Sequence, residues 1–280
     1  MRDWWTNNGA SMCAFLASAP PPNPDSPSTY KLAMESPYKA DWIKAMKEEM
    51  DSLKRLGTYT IVRLPPGRQA ISSKWVYKIK RDDKGNIVRF KARLVAIGCS
   101  QVKGKDFQET FAPVARMASQ RMVISIAALE GLTLHTIDVD NAYLNGVIDT
   151  RIFMKQPRGF VEPNYQDTKV WVCELNKGLY GLKQAGNIWN AAIHAYILEL
   201  GFKRTFADLC VYLTQHQGQP VYFALHVNDF LVAAPLAQFT WFASQLAKRF
   251  SIKSKPADMC LGLKIDKIPG RGYSFGQQHS

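Results

Sequence analysis

The feature that most constrains the fold is a pair of apolar, β-favouring segments that end in acidic residues. The first, residues 132–140, ends in Asp138 and Asp140, and the second, residues 221–232, contains Asn228 and Asp229. A strand projects alternate side chains to opposite faces, so an acid at its end leaves the core and two such ends can bring carboxylates together. Carboxylates are the oxygen ligands that Mg²⁺ takes in proteins. The sequence therefore predicts a metal-dependent site containing Asp138 and Asp229.

Two simpler interpretations of these residues stay open. An exposed acid at the end of a strand is common, and Asn-Asp is a favoured pair for a tight hairpin turn. Asp140 lies two residues after Asp138 and is expected on the same face, either as an accessory carboxylate or as a surface residue. Spacing alone does not separate a turn from a site.

Size and charge narrow the class of protein. The 280 residues, 46% of them hydrophobic, are enough for one large domain or two lobes. The net charge of +13 favours an acidic polyelectrolyte as partner, although a protein can also be merely basic. Five dispersed cysteines without a C-x-x-C pair favour an intracellular, reducing compartment, either cytoplasm or nucleus. No apolar run is long enough to cross a membrane, so no membrane association is expected.

The chain begins with a stretch that predicts a disordered linker. Residues 1–35 are rich in proline and serine, and Ser36-Pro37 predicts the start of folded material. Apolar residues at helical spacing follow from Trp42 to Leu53, with Glu49 expected on the exposed face. A second helix is predicted over 118–129, with Met122, Ile126 and Leu129 on its buried side. Helices and strands alternate irregularly, which favours the α+β class.

Residues 74–105 predict a basic β-hairpin. Trp75, Tyr77 and Ile79 alternate with lysines, and the second arm alternates apolar residues with basic ones. The segment holds ten Lys or Arg against two Asp, a local charge of +8. A solvated edge pair is the simpler interpretation, but the concentration of charge favours contact with phosphate. The basic positions are Lys74, Lys78, Lys80, Arg89, Lys91 and Arg93.

The segment 178–189 places Lys183 and Gln184 in a loop before a helix. The free N–H groups of a helix N-terminus favour phosphate, and the lysine could add to this. An ordinary loop–helix junction is the alternative interpretation.

Taken together and in order, these segments resemble the reverse transcriptase of copia-type LTR retrotransposons from about Trp42 to Gly276. The motifs that carry the resemblance are Lys74-Trp-Val-Tyr-Lys78, Phe90-Lys-Ala-Arg-Leu-Val-Ala96, Glu109-Thr-Phe-Ala-Pro-Val114, Leu134-His-Thr-Ile-Asp-Val139, Ala142-Tyr-Leu-Asn-Gly146, Leu179-Tyr-Gly-Leu-Lys-Gln-Ala185, His226-Val-Asn-Asp229 and Leu261-Gly-Leu263.

The resemblance implies a right-hand polymerase with fingers at roughly 36–115, a palm at roughly 116–270 and a thumb that is largely missing. It implies synthesis of DNA on a primed RNA or DNA template from deoxynucleoside triphosphates, with two Mg²⁺ ions. Asp138 and Asp229 match metal ligands, and Tyr143 matches a ring beneath the incoming sugar. Gln184 matches a nucleotide-contacting glutamine, with Lys183 beside it. Lys91 and Arg93 match residues that contact the triphosphate.

The chain departs from the family pattern at several positions. Asn228 stands where the family has an aspartate, His226 replaces a tyrosine, Gly186-Asn187 replaces Pro-Arg, and Asp140 stands where lysine is frequent. An amide lacks the charge that a bridging carboxylate supplies to hard cations. Three hypotheses follow: an impaired reverse transcriptase domain; an active subunit that uses Asp140 and takes its thumb or RNase H from another chain; or a non-catalytic nucleic-acid-binding module.

Overall fold

The computed structural model describes residues 26–82, 84–260, 263–268 and 272–277. Helices and antiparallel sheets are mixed, which confirms the predicted α+β class. The described α-helices are α1 (Tyr30–Glu35), α2 (Lys39–Arg55), α3 (Met117–Leu129), α4 (Ala185–Glu199) and α5 (Leu236–Arg249). Across these ranges, no helix combines the length and apolar character that a bilayer-spanning helix needs.

The strands of the described ranges are β1 (Tyr59–Arg63), β2 (Ser73–Arg81), β3 (Ile87–Ala96), β4 (Thr133–Val139), β5 (Val147–Lys155), β6 (Trp171–Lys177), β7 (Lys203–Arg204), β8 (Val211–His216), β9 (Gln219–His226), β10 (Asp229–Ala234), β11 (Ile252–Pro256), β12 (Met259–Cys260), β13 (Leu263–Ile268) and β14 (Gly272–Gln277). They divide between two compact units. The first unit holds the described residues up to Thr110 together with 146–188, and the second holds 111–145 and those from 189 onwards.

The first unit contains a sheet of order β1-β6-β5 and the β2-β3 hairpin. Helix α2 packs on the hairpin through Trp42, whose ring lies 5.0 Å from that of Tyr77 and 4.8 Å from that of Phe90. The predicted alternation is confirmed on the first arm, where Trp75, Tyr77 and Ile79 are buried while Lys74, Lys78 and Lys80 are exposed. On the second arm it holds only in part, because Val88 is 66% exposed while Lys91 and Arg93 are half-buried.

The second unit is built on a six-stranded antiparallel sheet of order β11-β4-β10-β9-β8-β7. Alternation along β10 feeds two separate cores, one on each face of the sheet. Phe230 and Val232 pack in a cluster with residues of α4 and α5, whereas Leu231 and Ala233 pack in a cluster with residues of α3. Both faces of the central strands are therefore covered, which explains the continuous apolar runs in the sequence.

The structure corrects the predicted start of the folded chain. A helix occupies Tyr30–Glu35, where the sequence predicted the end of a linker, and its first turn is capped by Thr29, which accepts a hydrogen bond from the Leu32 N–H at 3.2 Å. The local composition is polar and proline-rich, but the cap and Ala33, which is fully buried, fix a short helix. Residues 1–25 of the predicted linker lie outside the described residues.

Two predicted helix faces also differ from the structure. Glu49 is buried and accepts a hydrogen bond from the Leu94 N–H at 3.2 Å, and burial raises the pKa of its carboxyl group. In α3, Val123, Ile124 and Ala127 are buried, while Met122 and Leu129 are 47% and 86% exposed. Helix α3 is apolar on nearly every side, so its sequence pattern does not select the face that meets the sheet.

Several strands were not predicted from the sequence, namely β1, β5, β7, β11 and β14. The last predicted strand, residues 259–265, forms two strands, β12 and β13, and Leu261 and Gly262 between them lie outside the described residues. Strand β11 is the omission that matters most, because it lies beside β4 at the edge of the large sheet.

Candidate functional site

The two acids predicted to converge are directly opposed in the large sheet. Asp138 at the end of β4 pairs in register with Asp229 at the start of β10. Side chains of directly opposed residues in an antiparallel pair have Cβ atoms about 4.5–5.5 Å apart. Both acids line one open cavity, to which Thr136 also contributes. The register therefore brings two carboxylates from distant parts of the sequence to one point.

Alternation within the strands explains why both acids face the same way. Ile137 and Phe230, next to the acids in sequence, are fully buried on the α4 and α5 side of the sheet. Asp138 and Asp229 are consequently directed to the opposite face, the one that buries Leu134 and Leu231 against α3. The buried apolar neighbours fix the ends of the two strands, and the acids lie at the edge of the hydrophobic core.

A two-residue turn joins β9 to β10 and carries the substituted position. His226 and Asp229 close the hairpin, with Val227 and Asn228 between them. Val227 has φ +59°, a conformation that is rare for a β-branched residue and characteristic of functional sites. Its carbonyl accepts a hydrogen bond of 2.6 Å from the indole N–H of Trp189, which is buried. The carbonyl of Asn228 accepts one of 2.9 Å from the Val139 N–H.

The side chain of Asn228 bonds directly to the acid pair. Its Nδ2 group donates a hydrogen bond to Oδ1 of Asp138. Burial, and next the charge of Asp138, raises the pKa of Asp229, while His226 acts in the opposite direction. The amide thus supplies a donor where a carboxylate would add a third negative charge.

Asp140 does not join the acid pair. Strand β4 ends at Val139, so the expected alternation does not extend to Asp140. Its carboxylate accepts hydrogen bonds from Ser251 Oγ (3.0 Å) and from Lys253 Nζ, and its N–H donates to the Ser251 carbonyl at 2.9 Å. Asp140 connects the end of β4 to the residues around the start of β11.

Tyr143 lies in a short 3₁₀ turn, Ala142–Asn145, directly after the acid strand. Its ring is half-buried against the α4 and α5 core, and burial raises the pKa of its hydroxyl group. Ala142 is almost completely buried, which fixes the position of the turn. The predicted role beneath a sugar stays a prediction.

In the first unit, the basic hairpin holds like charges directly opposite one another. Lys78 pairs in register with Lys91, and Lys80 with Arg89, an arrangement that costs stability when no anion is present. Lys74, Lys78, Lys80 and Arg89 are exposed, whereas Lys91 and Arg93 are half-buried. Burial, followed by the charge of Arg93, lowers the pKa of Lys91. The Arg93 guanidinium lies 5.0 Å from the Tyr180 ring centre.

Lys183 and Gln184 are engaged inside the first unit. The Gln184 amide is 3% exposed; it accepts from Gln101 Nε2 at 2.9 Å and donates to the Asp106 carbonyl at 2.7 Å. Lys183 Nζ donates to the Gln101 carbonyl at 3.2 Å and lies 4.8 Å from the Phe107 ring centre. A contact between Gln184 and a nucleotide would require these bonds to be exchanged.

The roles of Lys253 and Trp189 have no signal in the sequence alone. Lys253 pairs in register with Asp138 from the other side and lines the acid cavity. It was missed because the alternation in 252–256 is too short to predict a strand. Trp189 was recognised only as part of a motif, and its bond to the turn follows from tertiary packing. A hydrogen bond from a buried indole N–H to the carbonyl of a distant turn leaves no local pattern in the sequence.

The donor set fits one hard cation better than two. Mg²⁺ is commonly held by one or two carboxylates, with water and phosphate oxygens completing the shell, and Asp138 and Asp229 could supply those two. Within the described parts of the chain, no group of three or more His, Cys, Asp or Glu side chains is placed to hold a metal. Asn228 further occupies one oxygen of Asp138 as a hydrogen-bond donor.

Comparison with known proteins identifies the family. Residues 56–278 match the family model described as reverse transcriptase (RNA-dependent DNA polymerase). The chain is 38% identical over 242 residues to the retrovirus-related Pol polyprotein from transposon TNT 1-94 of Nicotiana tabacum. It is 32% identical over 244 and 261 residues to the Pol polyproteins from transposons RE2 and RE1 of Arabidopsis thaliana.

These three alignments cover 85%, 85% and 89% of this chain but only 18%, 16% and 18% of the respective polyproteins. The chain thus spans less than a fifth of the length of each of these three polyproteins. The fold, the opposed acids and the extent of these matches agree: the chain belongs to the reverse transcriptase (RNA-dependent DNA polymerase) family found in Pol polyproteins of copia-type retrotransposons.

Proposed function

We propose that this chain is a fingers-and-palm domain that binds a primed RNA or DNA template and a deoxynucleoside triphosphate, and that its nucleotidyl transfer is impaired by Asn228. In this proposal the fingers span roughly 36–115 and the palm roughly 116–270, although residues 146–188 of that palm cluster with the first unit. The observation that carries the proposal is the pairing of Asp138 with Asp229 in register, with the Asn228 amide rather than a carboxylate bonded to Asp138.

The reaction expected of the family joins the primer 3′-oxygen to the α-phosphorus of the triphosphate and breaks the bond to pyrophosphate. Mg²⁺ bound at such a site favours loss of the 3′-hydroxyl proton and neutralises charge on the phosphates. Asp138 and Asp229 would hold and orient the cation. Because both acids lie on one face of the sheet, the primer and the triphosphate would have to reach the cation from that face. The backbone clamp by Trp189 keeps the turn that carries Asp229 in place.

The amide of Asn228 weakens this arrangement in two ways. It removes one negative charge from the set that faces the cations, and its Nδ2 group competes for an oxygen of Asp138. Each loss of about 1.4 kcal/mol in transition-state stabilisation lowers the rate about tenfold. The loss of a charged ligand from a two-metal centre therefore lowers the rate by orders of magnitude.

The basic hairpin supplies the proposed phosphate contacts. An anion bound beside the opposed pairs Lys78–Lys91 and Lys80–Arg89 would reduce the repulsion between their like charges. Half-buried Lys91 and Arg93 would contact the triphosphate, and the exposed positions, such as Lys74, would contact the nucleic-acid backbone. Tyr143 would lie beneath the sugar, where a ring discriminates against a 2′-hydroxyl.

The proposal is tested by primer extension with the unaltered chain and with Asn228→Asp. The restored carboxylate removes the amide donor and adds the missing charge, so extension in Mg²⁺ should rise about tenfold or more. Asn164→Asp is the matched control, because it makes the same change at an exposed position. Vigorous Mg²⁺-dependent extension by the unaltered chain would refute the impairment. Equal extension by the two variants would show that position 228 is not limiting.

A second candidate function is a non-catalytic nucleic-acid-binding module. The concentration of +8 charge in residues 74–105 favours it independently of the acids. It predicts salt-dependent binding of primed duplex that is unchanged by Asp138→Ala and is accompanied by no extension even after Asn228→Asp. The candidate that uses Asp140 as a third ligand is disfavoured, because that carboxylate is bonded to Ser251 and Lys253.

A further inference from the structure

Strand β11 places a cation beside the acid pair. Lys253 is the register partner of Asp138 on β11, just as Asp229 is its partner on β10. The row Lys253–Asp138–Asp229 therefore runs across three adjacent strands on one face of the sheet, and all three line the same cavity. Neighbours in such a row have Cβ atoms about 5 Å apart, within reach of a lysine ammonium.

The ammonium group is nevertheless bonded elsewhere. Lys253 Nζ donates to the Asp140 carboxylate, which also accepts a hydrogen bond of 3.0 Å from Ser251 Oγ. The Asp140 N–H adds a 2.9 Å bond to the Ser251 carbonyl, so the backbone itself holds the carboxylate at this place. The side chain of Lys253 is 69% exposed and that of Asp140 is 32% exposed, so the lysine owes its direction to this contact rather than to packing.

The direction of this ammonium group matters for any cation at Asp138 and Asp229. A lysine that bonds to Asp138 competes directly with a divalent ion for the same oxygens and repels it. A lysine that bonds to Asp140 has its charge largely compensated by a carboxylate outside the ligand pair. The Asp140 side chain, two residues after Asp138, thus decides which of two partners the lysine takes.

We propose that Asp140 is a positioning residue that holds the Lys253 ammonium away from the Asp138–Asp229 pair and thereby sets the divalent-cation concentration that the pair requires. The inference rests on the proposed function, since it assumes that the two acids bind a cation. It assigns Asp140 no contact with that cation. It also gives a reason for an acid at position 140, where the family frequently has lysine. In this chain, Asp140 compensates the positive charge of Lys253 on β11.

The test measures Mn²⁺ binding to the full chain by the loss of the electron paramagnetic resonance signal of the free ion. The variants form a double-mutant cycle of Asp140 and Lys253. Asp140→Ala should raise the half-saturating Mn²⁺ concentration about fivefold, the effect of one partly screened charge at this separation. Lys253→Ala should leave it equal or lower. Asp140→Ala combined with Lys253→Ala should restore it to the value of the single lysine variant. Added salt should diminish the effect of Asp140→Ala.

Three controls separate this role from a structural one. Ser251→Ala removes a hydrogen bond to the same carboxylate without releasing the lysine, so it should change Mn²⁺ binding little. Asp266→Ala removes an exposed acid that is paired with Lys264 at 3.2 Å, and it should have no effect. Thermal unfolding of each variant checks that the fold persists.

The outcomes distinguish the inference from the function on which it rests. Weakening by Asp140→Ala that the second substitution does not reverse would identify Asp140 as a direct ligand and overturn the inference. No change on Asp140→Ala would overturn it as well. Mn²⁺ binding that is insensitive to Asp138→Ala in both the unaltered chain and the Asn228→Asp variant would instead refute the proposed metal site.

Discussion

Two regions of the molecule hold like charges in register across neighbouring strands, and the groups that compensate these charges differ between the two regions. In the second unit, Asp138 opposes Asp229, and an internal donor from Asn228 bonds to the pair. In the first unit, Lys78 opposes Lys91, while Lys80 opposes Arg89, which pairs with the exposed Glu48 at 3.3 Å. Opposed like charges destabilise a sheet unless a ligand or a partner compensates them.

The comparison shows where a ligand is still needed. At the acid pair, the Asn228 amide donates a hydrogen bond to Asp138 and so offsets part of the negative charge that a bound cation would neutralise. The pair therefore gains less from binding a metal ion than two unbonded carboxylates would. At the hairpin, Glu48 pairs with Arg89, and the carboxyl group of Glu49 interacts electrostatically with Lys91 and Arg93. The basic residues outnumber these two acids and leave a net positive charge that an anion could neutralise. On the proposed function, phosphate binding by the hairpin is therefore better preserved than cation binding by the acid pair.

The largest effect is expected from reversing charge in the hairpin. Lys91→Glu combined with Arg93→Glu should weaken binding of primed duplex about 100-fold at low salt and reduce the salt slope by about two. Fluorescence anisotropy across a salt series measures both quantities. Lys44→Glu with Lys47→Glu makes the same change in net charge on exposed positions of α2 and is the matched control. Equal losses in the two double variants would show that only net charge matters.

An intermediate effect is expected from releasing the turn that carries the acid. Trp189→Phe keeps an aromatic ring against Phe250, whose ring lies 5.4 Å away, but it removes the hydrogen bond to the Val227 carbonyl. The free energy of unfolding should fall by about 1 kcal/mol, because the half-buried Val227 carbonyl loses its donor. Urea unfolding measures this change.

The matched control for this variant is Trp42→Phe. Trp42 is also fully buried, but its indole N–H has no hydrogen-bond partner within the described structure. Its replacement removes similar volume without breaking a hydrogen bond and should cost less. If Trp42→Phe costs as much as Trp189→Phe, the clamp on the turn contributes nothing beyond packing.

The smallest effect concerns the ionisation of Asp229. Burial and the charge of Asp138 raise its pKa above the ordinary 3.8, so the folded state binds a proton more readily than the unfolded state. The stability that Asp229 contributes is therefore greatest below its ordinary pKa and is lost as the pH rises through the raised value. Asp229→Asn should therefore stabilise the protein at neutral pH, and the gain should disappear in acid.

Thermal unfolding across a pH series tests this prediction. Asp51→Asn, at an exposed position of α2, should give no such pH-dependent gain. Mn²⁺ should stabilise the unaltered chain and fail to stabilise the Asp229→Asn variant. A variant that is less stable than the unaltered chain at neutral pH would show that the Asp229 carboxylate makes a favourable contact in the fold.

Much of the fold was predictable, because its elements have clear local periods. The hairpin of β2 and β3, the helix that follows Gln184 and the strands that carry Asp138 and Asp229 were all predicted within a few residues. The elements that were missed are short or lie at sheet edges, where neither length nor alternation is sufficient. The buried side of α3 was predicted wrongly because an almost uniformly apolar helix has no unique face.

The site was predictable only in part. The convergence of Asp138 with Asp229 followed from the order of motifs, and the departure at Asn228 was visible in the sequence. The bonds that occupy Asp140 and Gln184 were not, because they connect residues about 80 to 110 positions apart. Such pairings depend on strand register and on the packing of loops, which local composition does not encode.

By itself, the sequence determined the chemistry that is available: two acids at strand ends, an amide in the place of a third, and a strongly basic hairpin. Only the tertiary structure decided which of these groups meet. It paired Asp138 with Asp229, turned Asp140 towards Lys253, and enclosed Gln184 among internal partners. The physical reason is that residue type and period act over a few positions, whereas the register of antiparallel strands selects neighbours across the whole chain.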